Sequence, residues 1–235
     1  MGDTGQPRGT DRREVPQRST GWARRAAEAL YRLEVTPNQI SVGSVLFAAA
    51  AAIGLVLSGA VAEHLRPGFL VMAAVCIPLR LLLNMLDGML AVEKGMHSPV
   101  GDLYNELPDR IADAMLIGAA GYATAGLITV GTVPVYDVGV LLGFIAAVLA
   151  VLTAYVRTLG AAQGVGNFFQ GPLPKPLRMW VLVVACLLSV GEPVFGIPGG
   201  SVLLAAVVLI LLGSLSTVLV RLRLIAAALR SREQA

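Results

Sequence analysis

The chain has 235 residues, of which 56% are hydrophobic and 14% are charged, and its mean hydropathy is +0.74. Soluble domains carry about 25% charged residues, so this composition excludes an ordinary soluble enzyme and indicates a protein of the lipid bilayer. The net charge of +3 does not indicate a nucleic-acid-binding protein, because no basic stripe with interleaved aromatic residues accompanies the cations.

Two segments precede the first apolar run. Residues 1–18 are polar and rich in glycine and proline, so we expect a disordered cytoplasmic tail. In residues 19–35, Trp22, Ala26 and Leu30 share one helical face with other apolar residues, while arginines and a glutamate occupy the opposite face. This pattern predicts an amphipathic helix that lies in the membrane interface, with a solvated juxtamembrane helix as the alternative.

Six apolar runs follow within residues 36–228, at a spacing suited to spans of the ~20 residues with which a helix crosses a bilayer, and the fifth run is the shortest. The runs lack the strand-like alternation of apolar and polar residues, which favours helices over a barrel. We therefore predict an all-α integral membrane protein, in which six transmembrane helices follow the interfacial helix and residues 229–235 form a cytoplasmic tail. The predicted spans are residues 40–59, 69–92, 111–130, 138–161, 177–190 and 202–222.

The distribution of lysine and arginine predicts the orientation of these spans. The cations lie mainly at the two chain ends and in every second connection between spans. Cytoplasmic connections of membrane proteins carry such an excess of positive charge. Both termini and the connection between the second and third spans are therefore expected in the cytoplasm.

Acids, amides and glycines interrupt the apolar pattern between Asn84 and Asp113. Ionisable groups are costly inside a membrane and usually line a functional cavity. Asn84 and Asp87 are three residues apart and Asn105 and Asp109 are four apart, so each pair shares a helical face, which Asp113 extends by one turn. Two oxygen-bearing pairs can thus meet between helices, and oxygen ligands without a Cys or His cluster favour Mg²⁺, Mn²⁺ or Ca²⁺.

The spacing of these residues resembles the pattern D-x-x-D-G-x-x-A-R-x8-G-x-x-x-D-x-x-x-D of the CDP-alcohol phosphotransferases, integral membrane enzymes of phospholipid synthesis. The spacing matches throughout, but the chain has a divergent variant of the motif: two positions carry the amide of the expected acid, and a valine replaces the arginine. The matched positions are Asn84, Asp87, Gly88, Ala91, Val92, Gly101, Asn105 and Asp109.

The resemblance assigns roles to these positions. It implies Mg²⁺ or Mn²⁺ ions that bridge the phosphates of the donor, and it places Asp109 at the position of the general base that deprotonates the acceptor. The positions of the metal ligands are Asn84, Asp87, Asn105 and Asp109. The positions at which the cytidine diphosphate of the donor packs are Gly88, Ala91 and Gly101.

Further cations are candidate ligands of phosphate groups. Arg80 lies one turn before Asn84, inside a span where an unpaired arginine would be expensive, and is a candidate donor-binding replacement for the missing arginine. Pairing with an acid for structural reasons is the alternative. Near the fourth and fifth spans, basic residues in the family bind the polar head of the acceptor, and ordinary anchoring at the cytoplasmic face is the alternative. The corresponding residues here are Arg157, Lys175 and Arg178.

The resemblance therefore predicts a transferase that moves a phosphatidyl group from a CDP-alcohol, such as CDP-diacylglycerol, to an acceptor alcohol or phospho-alcohol and releases CMP. It implies contact with membrane lipids, a homodimer, and residence in the inner (plasma) membrane of a bacterium. Two alternatives stay open. The substituted motif is compatible with a catalytically silent relative that binds CDP-lipid, and six spans with buried acids are compatible with a small transporter.

Overall fold

The computed structural model describes residues 20–93, 95, 100–128 and 137–233, without the side chains of Val92, Glu93, Asp102 and Asn105. In this part of the chain the structure has seven α-helices and a 3₁₀ helix at Glu192–Phe195, which confirms the all-α prediction. The α-helices are α1 Gly21–Arg32, α2 Pro37–Ala60, α3 Arg66–Glu93, α4 Gly101–Tyr122, α5 Val138–Ala162, α6 Lys175–Ser189 and α7 Ser201–Glu233.

The helices α2, α3, α5 and α7 are long and apolar enough to cross a bilayer. Large apolar side chains on their outward faces are exposed, as contact with lipid requires. Examples are Leu46, Val75, Phe144 and Leu212. These features indicate an integral membrane protein. The remaining two predicted spans correspond to α4, whose first half is charged, and to α6, which has 15 residues, and their crossing of the membrane stays a prediction.

Helix α4 begins before its apolar run. The third span was predicted from residue 111, with Asn105 and Asp109 on one helical face ahead of it, and α4 begins at Gly101 and includes both residues. The span followed apolar residues alone, and the first turns of α4 carry Glu106, Asp109 and Arg110, whose charges are compensated by ion pairs. Helical geometry therefore continues through a charged segment that a hydropathy criterion leaves out.

A capping box fixes the start of α2. The Thr36 hydroxyl accepts a hydrogen bond from the Gln39 amide at 3.3 Å, and the Gln39 side chain accepts one from the Thr36 amide at 2.9 Å. Before this start, α1 packs Ala23 and Ala27 against the end of α3, where its neighbours include Met89. The N-terminal helix is thus attached to the helix that carries Asn84 and Asp87, and its location in the membrane interface stays a prediction.

A buried ion pair lies at the other end of α3. Glu192 accepts hydrogen bonds from the backbone amides of Gly200 and Val202, each at 2.7 Å, and lies 3.4 Å from the Arg66 guanidinium. The Glu192 carboxylate thereby satisfies free N–H groups at the start of α7, as an acid at a helix N-terminus does. This pair joins the start of α3 to the start of α7.

Small residues let the helices approach closely. The centre of the bundle is rich in buried alanine, and α4 and α5 cross at glycines, so that a Cβ atom on Gly143 would lie 2.7 Å from the Cα atom of Gly121. Real Cβ atoms do not come that close to backbone. The backbones of α4 and α5 therefore touch directly, which is typical of helix pairs in membranes.

We expect Gly143→Ala to lower the free energy of unfolding by about 1–3 kcal/mol, because the added methyl group forces α4 and α5 apart. The measurement is thermal or denaturant unfolding of the protein in detergent micelles. Gly43→Ala is the matched control, since a Cβ atom at Gly43 on α2 meets no atom within 4 Å. That substitution is expected to stabilise the helix by up to ~1 kcal/mol. Equal effects of the two substitutions would contradict the close crossing.

Candidate functional site

The polar faces of α3 and α4 contact each other. The Asn84 side-chain amide donates a hydrogen bond to Asp109 Oδ1. Arg80, one turn earlier on α3, donates from Nη2 to the same oxygen at 3.0 Å and to the Asp109 backbone carbonyl at 3.3 Å. The structure therefore brings three of the predicted site residues together around one carboxylate.

The second oxygen of Asp109 faces two more cations. Lys175, the first residue of α6, forms an ion pair with Asp109 Oδ2 through Nζ. Arg110 Nη2 lies 4.0 Å from the same oxygen. Both Asp109 oxygens are thus in contact with positive groups or N–H donors, and the side chain is only 13% exposed.

Asp113 lies deeper, one turn further along α4, and is fully buried. Its Oδ2 accepts a hydrogen bond from Arg178 Nη2 at 2.9 Å, and its Oδ1 lies 3.5 Å from Arg80 Nη2. Arg178 also donates from Nη1 to the Leu173 carbonyl at 3.1 Å and to the Thr153 hydroxyl at 3.4 Å. This network connects α3, α4, α5 and α6 beneath the site.

Arg178 was predicted as an acceptor-binding residue from its position near the other cations. In the structure its side chain is 1% exposed, and both terminal nitrogens bond to the protein. The guanidinium therefore acts as the partner of a buried acid and is closed off from the surface.

A second polar group lies beside α2. Ser41 Oγ donates to Asp87 Oδ2 at 2.5 Å and lies 3.1 Å from the Pro37 carbonyl. Asp87 Oδ1 is buried and has no hydrogen-bond partner in the part of the chain that the structure describes. Ser41 was not among the residues predicted for the site. Its signal in the sequence is a hydroxyl in the first turns of an otherwise apolar helix.

Ser41→Ala is expected to lower the free energy of unfolding by about 1–3 kcal/mol, because it leaves a second oxygen of buried Asp87 without a donor. Unfolding in detergent measures this change. The control is Ser44→Ala on the same helix, because the buried Ser44 hydroxyl donates only to the Ser41 carbonyl at 2.7 Å in the described contacts. A loss no larger than that of the control would show that Ser41 does not support Asp87.

Arg157, at the end of α5, lies at the more exposed rim of the cluster. Its Nη2 pairs with Glu106 Oε1, and Arg110 Nη2 lies 3.1 Å from Glu106 Oε2. The Arg157 guanidinium carbon lies 5.3 Å from the centre of the Phe169 ring, which is a cation–π contact. Arg157 and Lys175 are thus the partly accessible cations among the three that were predicted to bind the acceptor.

The remaining predicted site residues lie in the last turns of α3 and in the first turns of α4. Gly88 and Ala91 are half-buried in the last turns of α3, and Gly101 is the half-buried first residue of α4. The side chain of Asn105, predicted as a metal ligand, lies outside the described residues, and so does that of Val92.

The described carboxylates offer few free oxygens to a metal ion. Both oxygens of Asp109 and both of Asp113 face cations. Asp87 Oδ1 and Asp113 Oδ1 have no hydrogen-bond donor among the described residues, and of these two only Asp113 Oδ1 lies next to a guanidinium, that of Arg80 at 3.5 Å. The Asn84 side-chain oxygen is a further ligand candidate, since its nitrogen donates to Asp109. Across the described residues, no three His, Cys, Asp or Glu side chains lie together in a metal-holding group. Among the side chains that the structure describes, Asp87 and Asn84 offer oxygens to one divalent cation, whereas the carboxylates of Asp109 and Asp113 face protein cations.

The helical bundle and its polar cluster define the class of fold, an all-helical membrane fold with a charged cluster between α3 and α4. No family model matches the chain, and no curated protein matches its sequence. Solved structures do match its fold, among them three of phosphatidylinositol phosphate synthase (PgsA1) from Mycobacterium tuberculosis.

The PgsA1 structure in complex with manganese and citrate has a TM-score of 0.64 and 21% sequence identity, and the match covers 86% of this chain and 88% of that chain. The PgsA1 structure with CDP-DAG bound has the same TM-score and identity and covers 86% and 92%. The apo form has a TM-score of 0.60 and 22% identity and covers 85% and 93%. This chain therefore shares the fold of PgsA1 over most of the length of both proteins.

Proposed function

We propose that the protein is a membrane transferase that moves a phosphatidyl group from a CDP-alcohol, such as CDP-diacylglycerol, to an acceptor alcohol and releases CMP. The observation that carries this proposal is the charged cluster around Asp109, in which Asn84 and Asp109, two positions of the CDP-alcohol phosphotransferase spacing, contact each other. The fold shared with PgsA1, one structure of which has CDP-DAG bound, supports it. The proposed reaction would be a step of phospholipid biosynthesis.

The membrane arrangement belongs to the same proposal. The helices α4 and α6 would complete six spans, and α1 would lie in the interface, where it contacts α3. The excess of cations at the chain ends supports a site and two termini on the cytoplasmic side of a bacterial inner membrane. We also propose that the protein forms a homodimer, as the resemblance to the CDP-alcohol phosphotransferases implies.

The donor would bind where small residues and Arg80 meet. Arg80 is fully buried, and its Nε and Nη1 have no hydrogen-bond partner in the described structure. Buried N–H donors are rarely left unpaired, and a guanidinium is well suited to phosphate oxygens. We assign Arg80 to a phosphate of the donor, with Gly88, Ala91 and Gly101 leaving room for the cytidine diphosphate.

Asp109 would accept the proton of the acceptor hydroxyl. Lys175 holds one oxygen of this carboxylate in the described state, so that oxygen becomes free only when the ammonium group moves. A phosphate on the acceptor offers Lys175 and Arg157 an alternative anionic partner. We therefore assign the acceptor contacts to these two cations, and we assign Arg178 to the support of Asp113.

A divalent cation would be held by Asp87 and Asn84, with Asn105 as a further ligand by its place in the motif. Mg²⁺ or Mn²⁺ bound there would neutralise negative charge on the donor phosphates during transfer. The ligand set has few formal charges, which favours weak binding of the ion.

The experiment is CMP release from CDP-diacylglycerol by the purified protein, with and without Mg²⁺ or Mn²⁺. The acceptor panel contains glycerol phosphate, inositol phosphate and serine. We expect CMP release that depends on one acceptor and on the divalent ion. Donor binding without turnover would favour the silent relative, a candidate that the full pairing of Asp109 supports. The absence of donor binding would contradict both and favour transport.

A further inference from the structure

The charged cluster has most of its acids paired with arginines and a lysine of the same chain. Its acids are Asp87, Glu106, Asp109 and Asp113, and its cations are Arg80, Arg110, Arg157, Lys175 and Arg178. Sites for a pair of divalent ions hold the ions with several carboxylates, and free acids have to be available for this purpose. Here the described cations are at least as numerous as the acids, so the cluster is close to neutral before any metal binds.

Arg80 is the cation that contacts two acids of the cluster. Its Nη2 lies 3.0 Å from Asp109 Oδ1 and 3.5 Å from Asp113 Oδ1, so one guanidinium bridges two carboxylates of α4. Its side chain has no exposed surface. An arginine bridging two buried acids occupies the same electrostatic position that a cation shared by those acids would occupy.

Asn84 fits this arrangement better than an acid would. Its amide donates a hydrogen bond to Asp109 Oδ1, the oxygen that also faces Arg80. An ionised aspartate at this position could only accept hydrogen bonds, so it would face Asp109 as a like charge. The amide at position 84 and the arginine at position 80 are therefore complementary.

A purely structural arginine would be expected to use all of its donors. Among the described residues, Arg80 has no partner for buried Nε and Nη1, whereas Arg178 lacks a partner only at Nε and uses both terminal nitrogens. Unpaired donors of a buried guanidinium cost free energy unless a ligand satisfies them. Nε and Nη1 are therefore the Arg80 donors that are available to an anion.

We propose that Arg80, with Lys175 beside it, replaces one of the two divalent ions of a two-ion phosphoryl-transfer site. The cluster then binds a single divalent ion, at Asp87, and the Arg80 guanidinium supplies the second positive charge to the donor phosphates. This inference rests on the proposed function. It adds that the Arg80 guanidinium compensates for the substituted acids of the motif. A site that had only lost metal ligands would have no such replacement charge.

The test counts Mn²⁺ ions bound to the full-length protein in detergent, using the electron paramagnetic resonance signal of free Mn²⁺. It compares the wild type, an Asn84→Asp/Asn105→Asp variant, and a variant that adds Arg80→Met to these two changes. We expect about one bound ion in the wild type and in the variant that keeps Arg80, and about two ions after Arg80 is removed. Two ions in the wild type, or two in the variant that keeps Arg80, would overturn the proposal. No bound ion in the wild type would overturn it as well.

A second measurement guards against variants that fail to fold. Binding of CDP-diacylglycerol to Arg80→Met and Arg80→Lys is measured without added metal, alongside their unfolding temperatures. We expect at least a tenfold loss of donor affinity for Arg80→Met and a smaller loss for Arg80→Lys, which keeps the charge. Unchanged affinity in a folded Arg80→Met protein would overturn the role of Arg80. Neither measurement uses an acceptor, so the ion count can fail while CMP release succeeds, or the reverse.

Discussion

Asp109→Asn is expected to reduce acceptor-dependent CMP release by roughly 10²–10⁴-fold, the range that general acid–base catalysis contributes. Asparagine keeps the shape of the side chain and can still accept a hydrogen bond from Asn84, but it cannot take the proton of an acceptor hydroxyl. Donor binding is expected to persist, because the proposed donor contacts are made by Arg80 and by small residues. Steady-state CMP release and equilibrium binding of CDP-diacylglycerol measure the two properties separately.

The substitution also removes a charge that Arg80 and Lys175 contact, so a control for cluster charge is needed. Glu106→Gln provides it, because Glu106 also pairs with two cations, Arg110 and Arg157, on the same helix. We expect less than a tenfold loss of CMP release for this variant. Similar losses in both variants, or retained activity in Asp109→Asn, would contradict the role of Asp109 as the base.

Asp113→Asn is expected to cost about 3–5 kcal/mol of stability, the usual effect of removing one partner of a buried ion pair. Arg178 and Arg80 contact Asp113 and have almost no exposed surface, so neither guanidinium can reach water as compensation. Unfolding in detergent by a denaturant measures the loss. The effect on stability is predicted whether or not the protein is an active transferase.

Glu28→Gln serves as the comparison for Asp113→Asn. Glu28 pairs with Arg32 on the exposed side of α1, where such pairs contribute 0–1 kcal/mol as a rule. Replacing both buried partners, in Asp113→Leu with Arg178→Met, is expected to recover much of the stability lost by Asp113→Asn. If Asp113→Asn and Glu28→Gln lowered the free energy of unfolding equally, the ion pairs of Asp113 would not stabilise the network beneath the site.

The helices could be predicted well where apolar residues define them. The helices α2, α3, α5, α6 and α7 begin within a few residues of the predicted spans, because each is almost continuously apolar. The predicted third span starts ten residues after α4 does, because the first turns of α4 are charged and form ion pairs with other helices. A criterion based on transfer to hydrocarbon does not detect charges that the fold itself neutralises.

The site could be predicted where its residues are close in sequence. Spacing indicated that Asn84 and Asp109 could meet between helices, and the structure places them in contact. The hydrogen bond between Ser41 and Asp87 joins residues 46 positions apart, and the bond between Arg178 and Asp113 spans 65 positions. Such pairs depend on how whole helices pack, which local spacing does not encode.

For Arg80 the structure shows one of two interpretations, the pairing with acids, and binding of the donor stays a proposal. The sequence favoured binding of the donor phosphate and kept pairing with an acid as the alternative. In the structure Arg80 pairs with Asp109 and Asp113 through one nitrogen and leaves two others without a partner. The acid pairs hold the guanidinium in place, and the free donors are the ones that we assign to the phosphate.

The most direct test of the proposed transfer is mass spectrometry of the lipid product. Purified protein is incubated with CDP-diacylglycerol and the acceptor that supports CMP release, and the new phospholipid and CMP are quantified together. We expect one phospholipid carrying the acceptor for each CMP, with both products lost in Asp109→Asn. CMP accompanied by phosphatidic acid in place of that lipid, or equal product yields from the wild type and Asp109→Asn, would contradict the proposed transfer.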